Sequence, residues 1–116
     1  MEASWYGVRF FAYPLVFAIG GHNGYDYLRA VEVLDVANQT WRPCRSMNTP
    51  RSYFGSASHN SRLYCYGGQN IDYHALCETE VYDCLRDQWM EGAPLTVARR
   101  NCCGGVLDGQ LYAVGG

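Results

Sequence analysis

Short runs of apolar residues alternate with glycines and polar turns along most of the chain. Three of these runs stand directly before a Gly-Gly pair: Val16 to Ile19, Leu63 to Tyr66 and Leu111 to Val114. Their short length, their content of β-branched and aromatic residues and the turn residues that bound them are typical of β-strands. The pattern therefore predicts an all-β protein.

The spacing of the glycine pairs indicates that the chain is built from repeats. Gly20, Gly67 and Gly115 are 47 and 48 residues apart, and Trp41 and Trp89 are 48 residues apart. The one-residue difference falls in the loop after the glycine pair, where an insertion costs little. Repetition at a period of this size decides the whole fold.

Further positions recur in register with the glycine pairs. The segments 31–35 and 79–83 both carry the pattern Glu-x-x-Asp ahead of a tryptophan. Arg51 and Arg99 each stand 17 positions before the second glycine of a pair. We expect all of these recurring residues to be structural. They are Gly20, Gly21, Glu32, Trp41, Arg51, Gly67, Gly68, Glu80, Trp89, Arg99, Gly115 and Gly116.

The combination of arginine, hairpin, Gly-Gly, Glu-x-x-Asp and tryptophan resembles the kelch repeat. Residues 15–116 match the repeat well and residues 1–14 match it poorly. The resemblance implies a segment of a kelch-type β-propeller, with about two and a half four-stranded antiparallel blades and an incomplete ring. The predicted divisions are a first blade at 1–46, a complete second blade at 47–94 and the inner half of a third blade at 95–116.

Each predicted blade consists of strands A to D in chain order, and the inner strand of the first blade is divergent. Residues 4–13 occupy the place of that inner strand, but Ser4 stands where the next two repeats have arginine. The hairpin turns are predicted at 59–61 and at Asp108-Gly109, since Asp-Gly between apolar runs favours a tight turn. The other predicted strands are 15–19, 30–35, 41–44, 52–58, 62–66, 79–83, a strand beginning at Trp89, 101–107 and 110–114.

The recurring polar and aromatic positions have expected structural roles. Arg51 and Arg99 are predicted to pair with a strand C carboxylate such as Glu80, and direct contact with a ligand is the alternative. The glycine pairs allow a tight turn and a close approach of neighbouring backbone. Packing between adjacent blades is predicted for four aromatic residues. They are Trp41, Tyr64, Trp89 and Tyr112.

Charge and cysteine placement restrict the class of protein. The net charge is −2 and the pI is near 5.8, so no basic field favours nucleic acid or an anionic membrane. The apolar run at 10–19 is too short to cross a bilayer. The six cysteines fall at different positions of the repeat, which indicates reduced thiols and a cytoplasmic protein rather than a disulfide framework. A redox role for Cys102 and Cys103, beside two arginines, is an alternative.

The family resemblance implies that partners bind on the face formed by the B–C loops and the D–A connections. The B–C loops are 22–27 and 69–74, and both contain Tyr, Asp, Asn and His. Such residues suit polar recognition on a stiff scaffold, and ordinary solvated loops are the alternative reading. The predicted partner-binding residues are Tyr25, Asp26, Tyr53, Tyr73, His74 and Asn101.

The resulting functional hypothesis is a non-catalytic protein-interaction module without cofactor or metal. If the whole protein resembles the BTB–kelch proteins, it recruits substrates to a cullin ubiquitin ligase or binds actin filaments. Glu32 and Glu80 occupy one position in successive blades, so they are not expected to form an acid–base pair. A propeller oxidase with a copper site is an alternative, but the three histidines lie in separate loops. A truncated product without stable independent function is a further alternative, and open blade faces favour self-association of this segment.

Overall fold

The computed structural model describes residues 15–116 as three antiparallel sheets without a helix. The first sheet has the order β1-β2-β3, the second β4-β5-β6-β7, and the third β8-β9, as expected for successive blades of an open propeller. In chain order the strands are β1 Leu15–His22, β2 Tyr27–Asp35, β3 Thr40–Cys44, β4 Gly55–His59, β5 Arg62–Tyr66, β6 Thr79–Asp83, β7 Gln88–Glu91, β8 Cys103–Leu107 and β9 Gln110–Val114. The predicted strand at 4–13 lies outside the described residues.

The three strands β5, β6 and β9 coincide with their predicted bounds, whereas two others begin later than predicted. β4 begins at Gly55 instead of residue 52, and β8 begins at Cys103 instead of residue 101. Tyr53 and Asn101, at the same position of the two repeats, both have a φ of +58°. A left-handed residue interrupts the extended backbone, so each strand can begin only after it.

The strands β1 and β2 are longer than predicted because their pairing continues past the first glycine pair. Gly21 pairs with Leu28 and His22 with Tyr27, after an irregularity in register between Ile19 and Gly21. This extension carries the hairpin out to the loop at 23–26 and fixes the position of its base.

The two A–B hairpins use the same tight turn. Asn60 and Ser61 both have positive φ, as do Asp108 and Gly109. Two consecutive left-handed residues form the type I′ turn, whose twist matches that of the flanking strands. The predicted turn at Asp108-Gly109 is confirmed.

The core lies between the first and second sheets. Val31, Met47 and Cys65 are fully buried there, and the partly buried Phe17 and Trp89 pack against them. All five residues of β6 are buried, as expected for an inner strand of a four-stranded sheet. Apolar burial between the sheets therefore joins one blade to the next.

The predicted aromatic packing is confirmed for Trp89 but not for Trp41. The indole of Trp89 lies 5.0 Å from the Tyr82 ring, and its Nε1 donates to the carbonyl of Arg45 in the first blade at 2.7 Å. Trp41 is 50% exposed, so the described residues provide it with no equivalent cover. Tyr64 and Tyr112 line a cavity between the second and third sheets, although Tyr112 is largely exposed.

The third sheet presents apolar side chains to solvent. Both of its strands are exposed over almost their whole length. Its exposed large apolar residues are Val106, Leu107, Leu111, Tyr112 and Val114. Apolar strands with an open edge favour association with another strand or sheet.

In the first two pairs, the second glycine is hydrogen-bonded to the arginine segment that enters the following blade. The amide of Gly21 donates to the carbonyl of Arg51 at 2.9 Å, and the amide of Gly68 donates to the carbonyl of Arg99 at 2.7 Å. Each arginine amide then donates to a leucine carbonyl of the preceding blade, at 3.1 and 3.0 Å. The same pair of hydrogen bonds thus joins the first blade to the second and the second blade to the third.

In the first two pairs, the first glycine is required because the arginine segment that enters the next blade passes close to it. Gly20 and Gly67 have φ values of +56° and +69°. A Cβ added to Gly20 would lie 2.8 Å from the carbonyl oxygen of Arg51, and one added to Gly67 would lie 2.5 Å from that of Arg99. Both the left-handed backbone and the lack of space therefore favour glycine.

The arginine side chains bind the glycine pair of their own blade. Arg51 Nη1 donates to the carbonyl of Gly67 at 2.9 Å, and Arg99 Nη1 donates to the carbonyl of Gly115 at 2.6 Å. Each arginine consequently uses its backbone to bind one glycine pair and its side chain to bind the next.

The predicted pairing of Arg51 with Glu80 is confirmed. Arg51 Nη2 lies 2.9 Å from Glu80 Oε2, and both side chains are buried. The carboxylate also accepts hydrogen bonds from the amides of Asn48 and Thr49, at 2.7 and 3.2 Å. These additional donors make a charged pair tolerable in a buried site.

The corresponding prediction for Arg99 is wrong within residues 15–116, where it forms no ion pair with a carboxylate. Its guanidinium donates instead to the backbone carbonyl of Gly115. Glu32, the counterpart of Glu80 in the first blade, is exposed, and its expected arginine position is Ser4, outside the described residues.

The six cysteines are free thiols in very different surroundings. Burial raises the pKa of Cys44 to about 11, and that of Cys65 and of Cys84 to about 12. Cys103 is exposed. Because only the thiolate is nucleophilic, we expect these three thiols to react slowly in the folded protein.

We expect alkylation of the folded protein at neutral pH to label Cys103 first and the half-buried Cys77 next. Cys44, Cys65 and Cys84 should react only after unfolding, and mass spectrometry of labelled peptides measures each rate. The same reaction in concentrated urea is the control, since all six thiols should then react. Labelling of Cys65 as fast as Cys103 without denaturant would contradict the prediction.

Candidate functional site

The candidate site is the end of the sheets that carries the B–C loops, 22–27 and 69–74, and the D–A connections, 51–53 and 99–101. We call it the loop face. The opposite end of the sheets carries the A–B and C–D turns. Residues 15–116 contain no helix that could span a lipid bilayer.

An asparagine holds each B–C loop in one shape. Asn23 Oδ1 accepts hydrogen bonds from the amides of Tyr25 at 2.9 Å and Asp26 at 2.7 Å. Asn70 Oδ1 accepts them from the amides of Asp72 and His74, both at 3.0 Å. Asparagine side chains satisfy turn amides in this way, so the exposed side chains of the loops stand on an ordered backbone.

Three blades are linked by polar side chains on the loop face. Gln69 Nε2 lies 2.5 Å from the hydroxyl of Tyr27 in the first blade. Gln69 Oε1 accepts a hydrogen bond from Arg100 Nη1, at the entry of the third blade. Arg100 Nη1 also lies 3.3 Å from the carbonyl of Tyr73. The buried Gln69 is therefore the central residue of a chain of contacts across the face.

Aromatic contacts follow the same path. The rings of His22 and Tyr27 meet edge to face with centroids 4.8 Å apart. The rings of Tyr27 and Tyr73 are 6.2 Å apart, also edge to face. Contacts of this geometry contribute modest stabilisation, and here they join the two B–C loops.

The D–A connections place Tyr53 and Asn101 side by side. The amide of Asn101 donates to the carbonyl of Tyr53 at 2.8 Å. Both residues hold the left-handed backbone described above, which is uncommon for a tyrosine and is maintained only when surrounding structure determines it.

All six predicted partner-binding residues are exposed on this face. Tyr25 is 91% exposed, Tyr73 71% and Tyr53 54%. The structure brings Tyr53 against Asn101 and connects Tyr73 to the neighbouring Arg100. Tyr25 and Asp26 lie in the adjacent loop, and the ring contact between Tyr27 and Tyr73 relates the two loops.

Sequence reasoning missed Tyr27, Gln69 and Arg100, the residues that connect the loops. Gln69 directly follows a glycine pair, as His22 does in the first blade. This equivalent repeat position could have predicted that both side chains have a fixed place in the structure. The contact between Gln69 and Arg100, however, depends on how the blades pack against each other. The repeated asparagine, two residues after each glycine pair, was the clearest available sign of a fixed loop.

The chemical groups on the loop face are those of exposed polar side chains. No group of three His, Cys, Asp or Glu side chains in residues 15–116 is arranged to hold a metal ion. The loop face offers hydroxyl, amide, carboxylate, imidazole and guanidinium groups on exposed side chains. Such groups suit hydrogen bonding to another polypeptide.

A family model described as the Kelch motif matches this chain. Three features of the structure agree with that match: the repeated hydrogen bonds between arginine and glycine pair, the four-stranded blade and the buried Arg51–Glu80 pair. That model matches residues 13–48 and 50–96. The chain belongs to the kelch-repeat family.

Several curated kelch proteins are similar to this chain. Kelch-like ECH-associated protein 1A of Danio rerio is 32% identical over 88% of the chain and 17% of its own length. An F-box/kelch-repeat protein of Arabidopsis thaliana is 38% identical over 66% of the chain and 19% of its own length. A kelch repeat and BTB domain-containing protein of Caenorhabditis elegans is 30% identical over 84% of the chain and 17% of its own length.

The chain spans less than a fifth of the length of each of these relatives. Kelch-repeat proteins of these types are protein-interaction modules and are mostly non-enzymatic. The similarity thus identifies this chain as a segment of a kelch-repeat protein.

Proposed function

We propose that this kelch segment recognises a protein partner through its loop face. The observation that carries the proposal is the combination of exposed tyrosines with a fixed backbone. Tyr25 and Tyr73 project from loops whose amides are held by Asn23 and Asn70. A tyrosine that is already positioned gains contact area with little loss of conformational entropy on binding.

In the whole protein, the segment serves as part of a substrate receptor for a cullin ubiquitin ligase. Relatives whose names combine kelch repeats with a BTB domain or an F-box support this role. The proposed setting is the cytoplasm, which suits six free thiols. Binding to actin filaments is the second role that the family resemblance implies, and co-sedimentation with filaments distinguishes it.

We expect Tyr25→Ala or Tyr73→Ala to weaken partner binding by more than about 1 kcal/mol for at least one of the two, roughly a fivefold rise in Kd. The loss follows from the contact area of an exposed interface aromatic. Stability should change little, since exposed side chains outside the core contribute little to it. Quantitative affinity purification with mass spectrometry identifies the partners, and titration with each purified partner measures Kd.

Leu85→Ala is the matched control for this experiment. Leu85 is also an exposed large side chain, but it lies in the C–D turn at the opposite end of the second sheet. Its truncation should leave binding unchanged. If Leu85→Ala weakens binding while Tyr25→Ala, Tyr73→Ala and Tyr53→Ala do not, recognition lies on the opposite end of the sheets and the proposal is wrong.

A further inference from the structure

The turn at Asn23-Gly24 carries the only Asn-Gly dipeptide in the sequence, at the exposed tip of a B–C loop. Glycine after asparagine leaves the backbone nitrogen accessible to the asparagine side chain. We propose that Asn23 is a site of self-catalysed deamidation, in which the loop itself supplies the groups that promote the reaction.

The electrophile in this reaction is the side-chain amide carbon of Asn23. Its Oδ1 accepts two backbone hydrogen bonds, from Tyr25 at 2.9 Å and from Asp26 at 2.7 Å. These donors polarise the carbonyl, and they stabilise the negative charge that develops on the oxygen when a nucleophile adds. The arrangement acts as an oxyanion hole does in acyl-transfer enzymes.

The nucleophile is the backbone nitrogen of Gly24. Its N–H donates to His22 Nδ1 at 3.0 Å, so a ring nitrogen that accepts this hydrogen bond stands where the proton must go. The imidazole is held by its edge-to-face contact with Tyr27. A positioned histidine that removes this proton during attack is a general base.

The surroundings of Gly24 leave room for ring closure. Gly24 has a φ of +98°, and apart from its two chain neighbours no residue has a heavy atom within 4 Å of the place where a Cβ would stand. Any other residue at this position would place a side chain beside the attacking nitrogen and would strain the left-handed backbone.

The reaction balances without an oxidant, a reductant or a metal. A bond forms between Gly24 nitrogen and Asn23 Cγ, and the bond between Asn23 Cγ and Nδ2 breaks. The proton from Gly24 passes through His22 to the leaving group, which departs as ammonia. Water then opens the cyclic succinimide at either carbonyl, giving aspartate or isoaspartate at position 23.

Either product changes the loop face. Aspartate adds a negative charge beside Tyr25 and Asp26, and isoaspartate also inserts Cβ into the main chain and reshapes the turn. An effect on partner recognition rests on the proposed function, whereas the chemical change at Asn23 does not depend on it.

The chain contains two internal controls. Asn70 also has two backbone donors on its Oδ1, but it precedes Ile71, and within residues 15–116 no histidine accepts the proton of that amide. Asn60 lies in an exposed tight turn before Ser61 and beside His59, but His59 Nε2 contacts its Nδ2 rather than the following amide. Each control keeps part of the arrangement at Asn23 and lacks the rest.

The test is a time course of the whole chain at neutral pH, with a synthetic peptide of residues 19–29 as the unstructured reference. Peptide mapping by mass spectrometry follows the mass gain from the replacement of NH₂ by OH, and chromatography separates isoaspartate from aspartate. We expect Asn23 to react faster in the folded chain than in the peptide, with Asn60 and Asn70 unchanged. A rate in the folded chain equal to or below that of the peptide would overturn the proposal.

His22→Ala and His22→Gln separate base catalysis from positioning. Glutamine can accept the hydrogen bond of the Gly24 amide but cannot take up its proton. Both variants should slow the reaction about tenfold or more, since a positioned general base contributes on the order of 10²-fold or more. A rate for His22→Gln equal to that of the wild type would assign His22 no chemical role and overturn the mechanism. Circular dichroism checks that each chain is folded, and the comparison of wild type with peptide needs no variant.

Discussion

Arg51→Ala is expected to lower the free energy of unfolding by about 3–5 kcal/mol, the usual cost of removing one member of a buried ion pair. Glu80 would be left in a buried site with only the amides of Asn48 and Thr49 as donors. The carbonyls of Gly67 and Glu78 would each lose a donor. Urea unfolding of the chain, followed by tryptophan fluorescence, measures the change.

Arg99→Ala is the matched control because Arg99 occupies the same repeat position. It is half-buried and donates to the carbonyl of Gly115 without an ion pair among the described residues. Its loss should therefore cost only about 0.5–1.5 kcal/mol, as for one ordinary hydrogen bond. Equal losses for the two variants would show that the buried pair with Glu80 does not dominate.

Gly67→Ala is the second substitution with a large expected effect. The positive φ of Gly67 costs about 1–3 kcal/mol for a residue with a side chain. The added Cβ would also lie 2.5 Å from the carbonyl oxygen of Arg99, and such overpacking adds about 1–3 kcal/mol. Because that oxygen accepts the amide of Gly68, relieving the overlap would loosen the entry to the third blade.

Gly109→Ala separates the two contributions to this loss. Gly109 has a φ of +76°, but no heavy atom lies within 4 Å of its hypothetical Cβ. It should show the backbone cost alone. The same unfolding measurement applies, and a loss for Gly109→Ala as large as that for Gly67→Ala would mean that close approach at the joint is unimportant.

The repeat made much of the fold predictable from sequence. The strands β5, β6 and β9 and the Asp108-Gly109 turn depend on local pattern and turn chemistry, and they lie where predicted. The pairing of Arg51 with Glu80 followed from their recurrence. Strand beginnings were less predictable, because a left-handed backbone is uncommon for a tyrosine and the residue type of Tyr53 gave no sign of it.

The sequence predicted which loop residues are exposed at the candidate site, but it did not predict the side-chain contacts that connect the loops. Its exposed tyrosines lie in loops that the repeat alignment had already located. The contacts of Gln69 with Tyr27 and Arg100 join residues 42 and 31 positions away in the sequence. Side-chain contacts over such separations depend on the angle between blades, which no local pattern specifies.

The arginine-to-glycine joints have a consequence for how this sequence can change. Arg51 and Arg99 reach their glycine carbonyls across the same separation of 16 residues. The one-residue difference between the repeats lies instead between the glycine pair and the leucine that receives the arginine amide, in the segment that contains the B–C loop. This segment can therefore gain or lose residues without changing the spacing between each arginine and the glycine pair that its side chain binds. A duplicated repeat would include both the arginine and its glycine pair. New loops can therefore arise while the hydrogen bonds that connect successive blades stay the same.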